Sequence, residues 1–225
     1  MKSAIAHLLI LCAAVLAEEP TAAVQPQTVA TPGGCKLCAL ATKDLSGITE
    51  TPWLEPAARK KAWTTSCEVS NQDGKKFKLD DLIGKPIAIT FLYSRCENPN
   101  KCPLAAATAA KLQLELRKAD IEKHVQLVVM TYDPEFDSPE VLSRYAAARG
   151  IQCNANVMML RPDTVGKNAL FDDMKVLVNY NGDRVNIHGL QMILIDKAGR
   201  TVRKYHTLIW ENANVLENLK KLVAE

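Results

Sequence analysis

The chain has 225 residues, of which 24% are charged, and a formal net charge of only +3. No basic run and no aromatic-interleaved patch accompanies that small charge, which argues against nucleic acid as a partner. No internal repeat and no second apolar span occurs, so solenoid and multi-span membrane folds are excluded, and the length suits one domain with its own core.

Lys2 precedes an apolar run from Ala4 to Leu16, and Val15-Leu-Ala17 stands ahead of Glu18. That is the layout of a signal peptide over residues 1–17, and the run is well short of the roughly 20 residues a membrane-spanning helix needs. An uncleaved interfacial anchor is the bland alternative. Cys12 follows the large Leu11, where a lipid-attachment site has a small residue, so it is read as part of the discarded peptide. The expected location is therefore outside the cytoplasm, in a bacterial periplasm, as a soluble chain with no transmembrane span once the leader is removed. Cys35, Cys38, Cys67, Cys96, Cys102 and Cys153 remain, and an exported chain can hold some of them as disulfides.

Residues 18–62 are read as a flexible tether, first rich in Ala, Pro, Thr and Gln, then carrying Cys35-Lys-Leu-Cys38 and a poorly periodic stretch. An ordered pattern begins at Trp63 and continues to residue 225. Strands from Thr64 to Val69 and Lys75 to Leu79 flank Asn71-Gln-Asp73-Gly74, a hairpin signal. Pro86 to Tyr93 is a short apolar, β-rich run, read as a buried strand. After Pro103 the period changes, with Leu104, Thr108, Leu112 and Leu116 at steps of four, as on one face of a helix. A second strand is expected from His124 to Tyr132. Ser138 and Pro139 supply an N-cap and first-turn proline for a helix ending near Gly150. A third strand is expected from Asn156 to Leu160, a hairpin from Gln191 to Tyr205, and a closing helix with Val215, Leu216, Leu219, Leu222 and Val223 on one face. This order predicts an α/β domain with a thioredoxin-like fold and an extra N-terminal β-hairpin.

Cys96 and Cys102 fall in the loop between the buried strand and the first helix. A thiol at a helix N-terminus meets the positive end of the helix dipole, which predicts a lowered pKa and a thiolate able to attack disulfides or bind metal. From the residues alone the pair is a metal site, a redox pair or a structural disulfide. His188 alone reads as a satisfied histidine at a strand edge, and His124 and His206 as surface residues. Met158 and Met159 read as core. Asp133 and Asp137 are explained by turn and N-cap chemistry, with a polar shell near the cysteine loop as the functional alternative. Cys35 and Cys38 form a small disulfide, a relay that reduces Cys96 and Cys102, or half of a second metal site. Cys67 and Cys153 read as buried or paired.

Four runs, in this order and spacing, resemble the Sco/SenC family of copper-binding thioredoxin-fold proteins. They are the Asp73-Gly74 hairpin leading to Asp81-Leu-Ile-Gly-Lys-Pro86, the Cys96 to Pro103 loop, Thr131-Tyr-Asp133-Pro134-Glu-Phe-Asp137-Ser138-Pro139-Glu140, and Ile187-His188-Gly-Leu with Leu194-Ile-Asp196-Lys-Ala-Gly199. The resemblance implies a copper ion, Cu(I) or Cu(II), held by Cys96, Cys102 and His188. It also implies a role in copper-site assembly, with a copper-receiving oxidase subunit or other exported cuproprotein and a thiol reductant protein as partners. Soft thiolates that select Cu(I), beside one imidazole, suit a three-coordinate site. Two departures stand out: the cysteine loop has five intervening residues where the family commonly has three, and Phe136 replaces the arginine usual between the two aspartates. The competing reading is a thiol-disulfide oxidoreductase acting on exported protein thiols, which usually has Cys-x2-Cys and a cis-proline near the place of His188. A peroxiredoxin would need proline and threonine at the positions of Ile89 and Tyr93.

Overall fold

The computed structural model describes residues 50–206 and 210–225. The expected leader, Cys35 and Cys38, and the expected tether up to residue 49 lie outside the described residues. In chain order, β1 (Glu68–Asn71) and β2 (Lys76–Lys78) make a hairpin, and β3 (Ile87–Leu92) leads into α1 (Cys102–Lys118). Next come β4 (Gln126–Thr131), α2 (Pro139–Ala148), β5 (Val157–Pro162) and α3 (Lys167–Met174). Two further hairpins, β6 (Val178–Asn181) with β7 (Arg184–His188) and β8 (Met192–Ile195) with β9 (Thr201–Tyr205), precede α4 (Asn212–Ala224).

Seven strands form one sheet in the order β2-β1-β5-β4-β3-β8-β9, while β6 and β7 pair only with each other. The central strands β3, β4 and β5 run parallel, with antiparallel strands on both sides. β3 is buried along its whole length, as an unalternating run must be when both sheet faces are covered. Period two divides its side chains: Ala88 and Leu92 join the cluster with α1, α2 and α4, whereas Ile87, Ile89 and Phe91 join the cluster with α3. Each large side chain so buried contributes about 1.5–3 kcal/mol. The result is a three-layer α/β/α domain of thioredoxin-like form, with β1 and β2 as the extra hairpin.

The turns follow from side-chain chemistry. Asn71 Oδ1 accepts from the backbone N–H of Asp73 and Lys75 at 3.0 and 2.9 Å, and Gly74 takes the left-handed φ of 77° that closes the β1–β2 turn. Ser138 caps α2 as expected, its hydroxyl accepting from Val141 N–H at 3.3 Å.

Several expectations need correction. α1 buries Ala105, Ala106, Ala109, Leu112 and Leu116, so its inner face is rotated from the predicted leucine stripe and Leu104 and Thr108 are half-buried. Small alanines there leave room for the helix to lie close on β3. His124 sits exposed in a single 3-10 turn, Glu122–His124, and β4 begins only at Gln126. α3 and the β6–β7 hairpin were not anticipated. Residues 50–62, counted with the tether, run beside β9: Thr51 N–H donates to Lys204 C=O at 2.8 Å, Leu54 N–H to Val202 C=O at 3.0 Å, and Thr201 N–H to Lys60 C=O at 2.8 Å. Backbone hydrogen bonding, which needs no apolar period, is what orders this segment and covers an otherwise open sheet edge.

Candidate metal centre

At the carboxyl end of β3 the chain turns through Tyr93, Ser94 and Arg95 to Cys96, whose N–H donates to Tyr93 C=O at 3.3 Å. Cys102 is the first residue of α1, and His188 the last of β7. These three elements bring Cys96 Sγ and Cys102 Sγ to 3.7 and 3.8 Å from His188 Nε2. All three donor atoms lie within 4.8 Å of one another. Cys96, Cys102 and His188 are 9%, 0% and 7% exposed, so the donors share one nearly dry space. His188 Nδ1 lies 3.3 Å from Gly189 C=O. A carbonyl can only accept, so this contact holds the proton on Nδ1 and leaves the Nε2 lone pair facing the sulfurs. The imidazole is enclosed by two aromatic rings, Tyr93 edge-on at 5.2 Å and Tyr132 tilted at 5.3 Å.

The turn before Cys96 is held from below by two buried carboxylates at the end of β4. Asp137 accepts from Ser94 N–H at 3.1 Å and from the hydroxyls of Ser94 and Thr131. Burial raises the Asp137 pKa, and these three donors oppose the rise. Asp133 accepts from Arg95 Nε and Nη2 at 3.0 and 2.6 Å, both on Oδ2. The Arg95 guanidinium also lies 4.2 Å over the Phe136 ring, a cation–π contact. Phe136, between the two aspartates, thus stacks against the arginine that precedes Cys96.

The expected lowering of the thiol pKa does not hold at Cys102. Burial pushes this thiol up, and the Tyr93 backbone contact and Lys101 pull it down by less. A thiol with 0% exposure loses more hydration on ionising than one helix terminus returns. Burial also lowers the His188 pKa, which keeps the imidazole neutral and able to donate an electron pair. Tyr93 is pushed up to about 12, first by burial and then by Cys96 and Cys102. A soft metal ion fits this donor set: it would be held by the two sulfurs and Nε2, and its charge would favour the thiolates that burial disfavours.

The remaining sequence candidates lie elsewhere. Cys67 is a buried thiol, 3.4 Å from an Asp163 oxygen and pushed up to about 12 by burial. Cys153 is a half-buried free thiol, so neither is bridged to another described cysteine. Met158 and Met159 are core residues of β5. His206 is half-buried and its pKa is lowered by burial, where a surface residue was expected. Sequence reasoning missed Tyr93, Ser94, Arg95, Tyr132 and Tyr180. Tyr93 and Tyr132 follow directly on two parallel strands, at the sheet end where loops of α/β folds gather their functional groups, and that position was the available signal.

The SCO1/SenC family model matches residues 55–224 of this chain. The chain belongs to the SCO1/SenC family. A curated relative, the SCO1 protein homolog of Bacillus subtilis (strain 168), is 35% identical over 77 residues. That alignment covers 34% of this SCO1/SenC chain and 38% of the relative's length. Among solved structures, a SCO1/SenC family lipoprotein from Bacillus anthracis is 28% identical with a TM-score of 0.63, covering 74% of this chain and 98% of that one. BsSco, a member of the Sco family of cytochrome c oxidase assembly proteins in which a disulfide switch was identified, shares the fold at 22% identity. Its TM-score is 0.63, with 76% of this chain and 98% of that one covered. ScoI of Bradyrhizobium japonicum, solved with copper bound, also shares it at 22% identity and a TM-score of 0.56, covering 71% and 99% of the two chains.

Proposed function

We propose that this protein is an exported copper-binding protein that holds one Cu(I) through Cys96, Cys102 and His188 and passes it to a respiratory oxidase subunit or another exported cuproprotein. The observation that carries this reading is the convergence of two sulfurs and one imidazole nitrogen within 4.8 Å, with the nitrogen's lone pair turned inward. Two thiolates and a neutral imidazole are the soft donor set that Cu(I) prefers. The His/Cys/Asp/Glu cluster among the described residues supplies three donors, which suits three-coordinate Cu(I) better than the four ligands of structural zinc. Asp133 and Asp137 serve by fixing the turn that carries Cys96, and Cys35 and Cys38 by exchanging electrons with the loop pair. The copper-bound ScoI relative and the oxidase-assembly role of BsSco give the reading its direction.

Competition with a Cu(I) chelator tests it. Fully reduced parent protein should retain one Cu(I) per chain, Cys96→Ser and Cys102→Ser should lose tight binding, and His188→Ala should bind more weakly than the parent but better than either serine variant. A hydroxyl is a hard, poorly ionised donor, whereas two thiolates alone still hold Cu(I) linearly. Equal retention by the parent and both serine variants would sink the reading.

One observation favours a second role. The two sulfurs lie within 4.8 Å, so a disulfide between them needs only a local shift of the loop. Oxidation gives up two electrons and two thiol protons to an acceptor disulfide and removes two of the three donors. Turnover of a protein disulfide by metal-free protein, at a rate that Cys102→Ser abolishes, would establish the oxidoreductase reading.

A further inference from the structure

Gly189 follows the histidine and is tied at both of its backbone groups. Its N–H donates to Leu177 C=O at 2.8 Å. Its C=O accepts from the Tyr132 hydroxyl at 2.6 Å and from His188 Nδ1 at 3.3 Å, one donor for each lone pair. Tyr132 is itself 0% exposed, and its own carbonyl accepts from the Tyr180 hydroxyl at 2.6 Å. A chain of hydrogen bonds therefore runs from β6 through the end of β4 to the back of the imidazole.

We propose that Tyr132, braced by Tyr180, is a positioning residue of the metal centre: its hydroxyl fixes the Gly189 carbonyl against His188 Nδ1 and so selects the tautomer whose Nε2 faces the two sulfurs. A glycine peptide turns more freely than any other, and the histidine-to-glycine contact is long, so it does not hold the carbonyl by itself. The 2.6 Å hydroxyl bond does. Without it the Gly189 C=O swings toward other donors, Nδ1–H loses its acceptor, and the proton divides between the two ring nitrogens. The position also favours glycine itself, because a Cβ at 189 would stand 3.1 Å from Leu177 Cβ. This inference rests on the reading that Nε2 is the metal donor, but the tautomer it concerns exists in the metal-free protein.

Long-range 1H–15N correlation spectra of the reduced, metal-free full chain at neutral pH read that tautomer directly. The parent should show His188 protonated on Nδ1 alone, and Tyr132→Phe should show a mixture containing the Nε2-protonated form. In chelator competition Tyr132→Phe should bind Cu(I) about tenfold more weakly at unchanged stoichiometry, the loss typical of removing a partner that orients a metal ligand. A purely structural tyrosine would alter melting temperature without moving the proton. An Nε2-protonated parent, or a Tyr132→Phe protein with the parent's single tautomer, overturns the proposal. Should Tyr132→Phe not fold, Tyr180→Phe decides by the same spectrum: a second tautomer supports the proposal and a single one overturns it. A parent that binds no Cu(I) would overturn the proposed function and leave the tautomer result standing.

Discussion

At the scale of single residues, burial outweighs the helix dipole. Cys102 begins a helix, yet its thiol is raised because its side chain is 0% exposed, and one pKa unit changes the thiolate fraction about tenfold at neutral pH. Reduced metal-free protein treated with iodoacetamide should therefore label the fully buried Cys102 more slowly than Cys96, which keeps 9% of its surface exposed, as followed by peptide mass spectrometry; equal rates would contradict the burial of Cys102. The two cysteines were legible in the sequence because a strand and a helix of different period bracket them, and their approach to His188 was legible only through the family resemblance. Nothing in the local sequence marks Tyr180, and only its place directly after β4 marks Tyr132, since their roles rest on hydroxyl contacts to backbone carbonyls far along the chain. The fate of the Cys102 proton was misjudged for a related reason: the depth of a side chain depends on packing that α1 makes with residues remote in sequence.

Among the elements, the turn between β3 and α1 depends on the end of β4 for its shape. Asp137→Ala would leave the Ser94 N–H and the hydroxyls of Ser94 and Thr131 without their acceptor, a loss of about 1–3 kcal/mol. Urea unfolding should show that loss, and Cu(I) competition should show weaker binding from a loosened Cys96; unchanged values for both would remove Asp137 from the support of the loop. β3 and β5 were readable from their continuous apolar runs, α2 from its cap at Ser138, and α4 from the apolar stripe of Val215, Leu219 and Leu222. α3 was not, because it has eight residues and no side-chain cap at Gly166. The β6–β7 pair was missed for another reason. Its strands are only four and five residues long and bury no side chain fully before His188, although their apolar–polar alternation around Asn181-Gly182, with Gly182 at φ 62°, is a hairpin signal that was there to be used.

For the whole molecule, the segment ahead of Trp63 belongs to the stability of the domain. The Arg59 guanidinium, fully buried, bonds Glu225 at 2.8 Å and Asp196 at 3.3 Å, joining residues 50–62 to α4 and the β8–β9 turn. A chain beginning at Ala62 should still fold but melt at a lower temperature than one beginning at Glu50, and calorimetry of the two compares them directly. The hydrogen bond from Arg59 holds the Glu225 pKa below its ordinary value, so this contribution is complete above about pH 4.3 and fades as pH falls through the lowered value. The melting difference between parent and Arg59→Ala should accordingly be largest near neutrality and shrink in acid; a difference that grows in acid would show that the ion pair is not its source. The composition of residues 18–62 concealed the packing of residues 50–62, because main-chain bonding to a sheet edge leaves no mark on side-chain pattern. The separateness of the β6–β7 ribbon carries a kinetic consequence. His188 is delivered by two strands whose backbone ladder pairs them with each other and not with the seven-stranded sheet; beyond the Tyr180 hydroxyl bond to Tyr132 C=O, such a unit can open at a lower free energy than the whole domain. Amide hydrogens of residues 184–188 should exchange with deuterium sooner than those of β3 and β4, and the residence time of a bound ion would then be set by the breathing of a ribbon while the core stays closed.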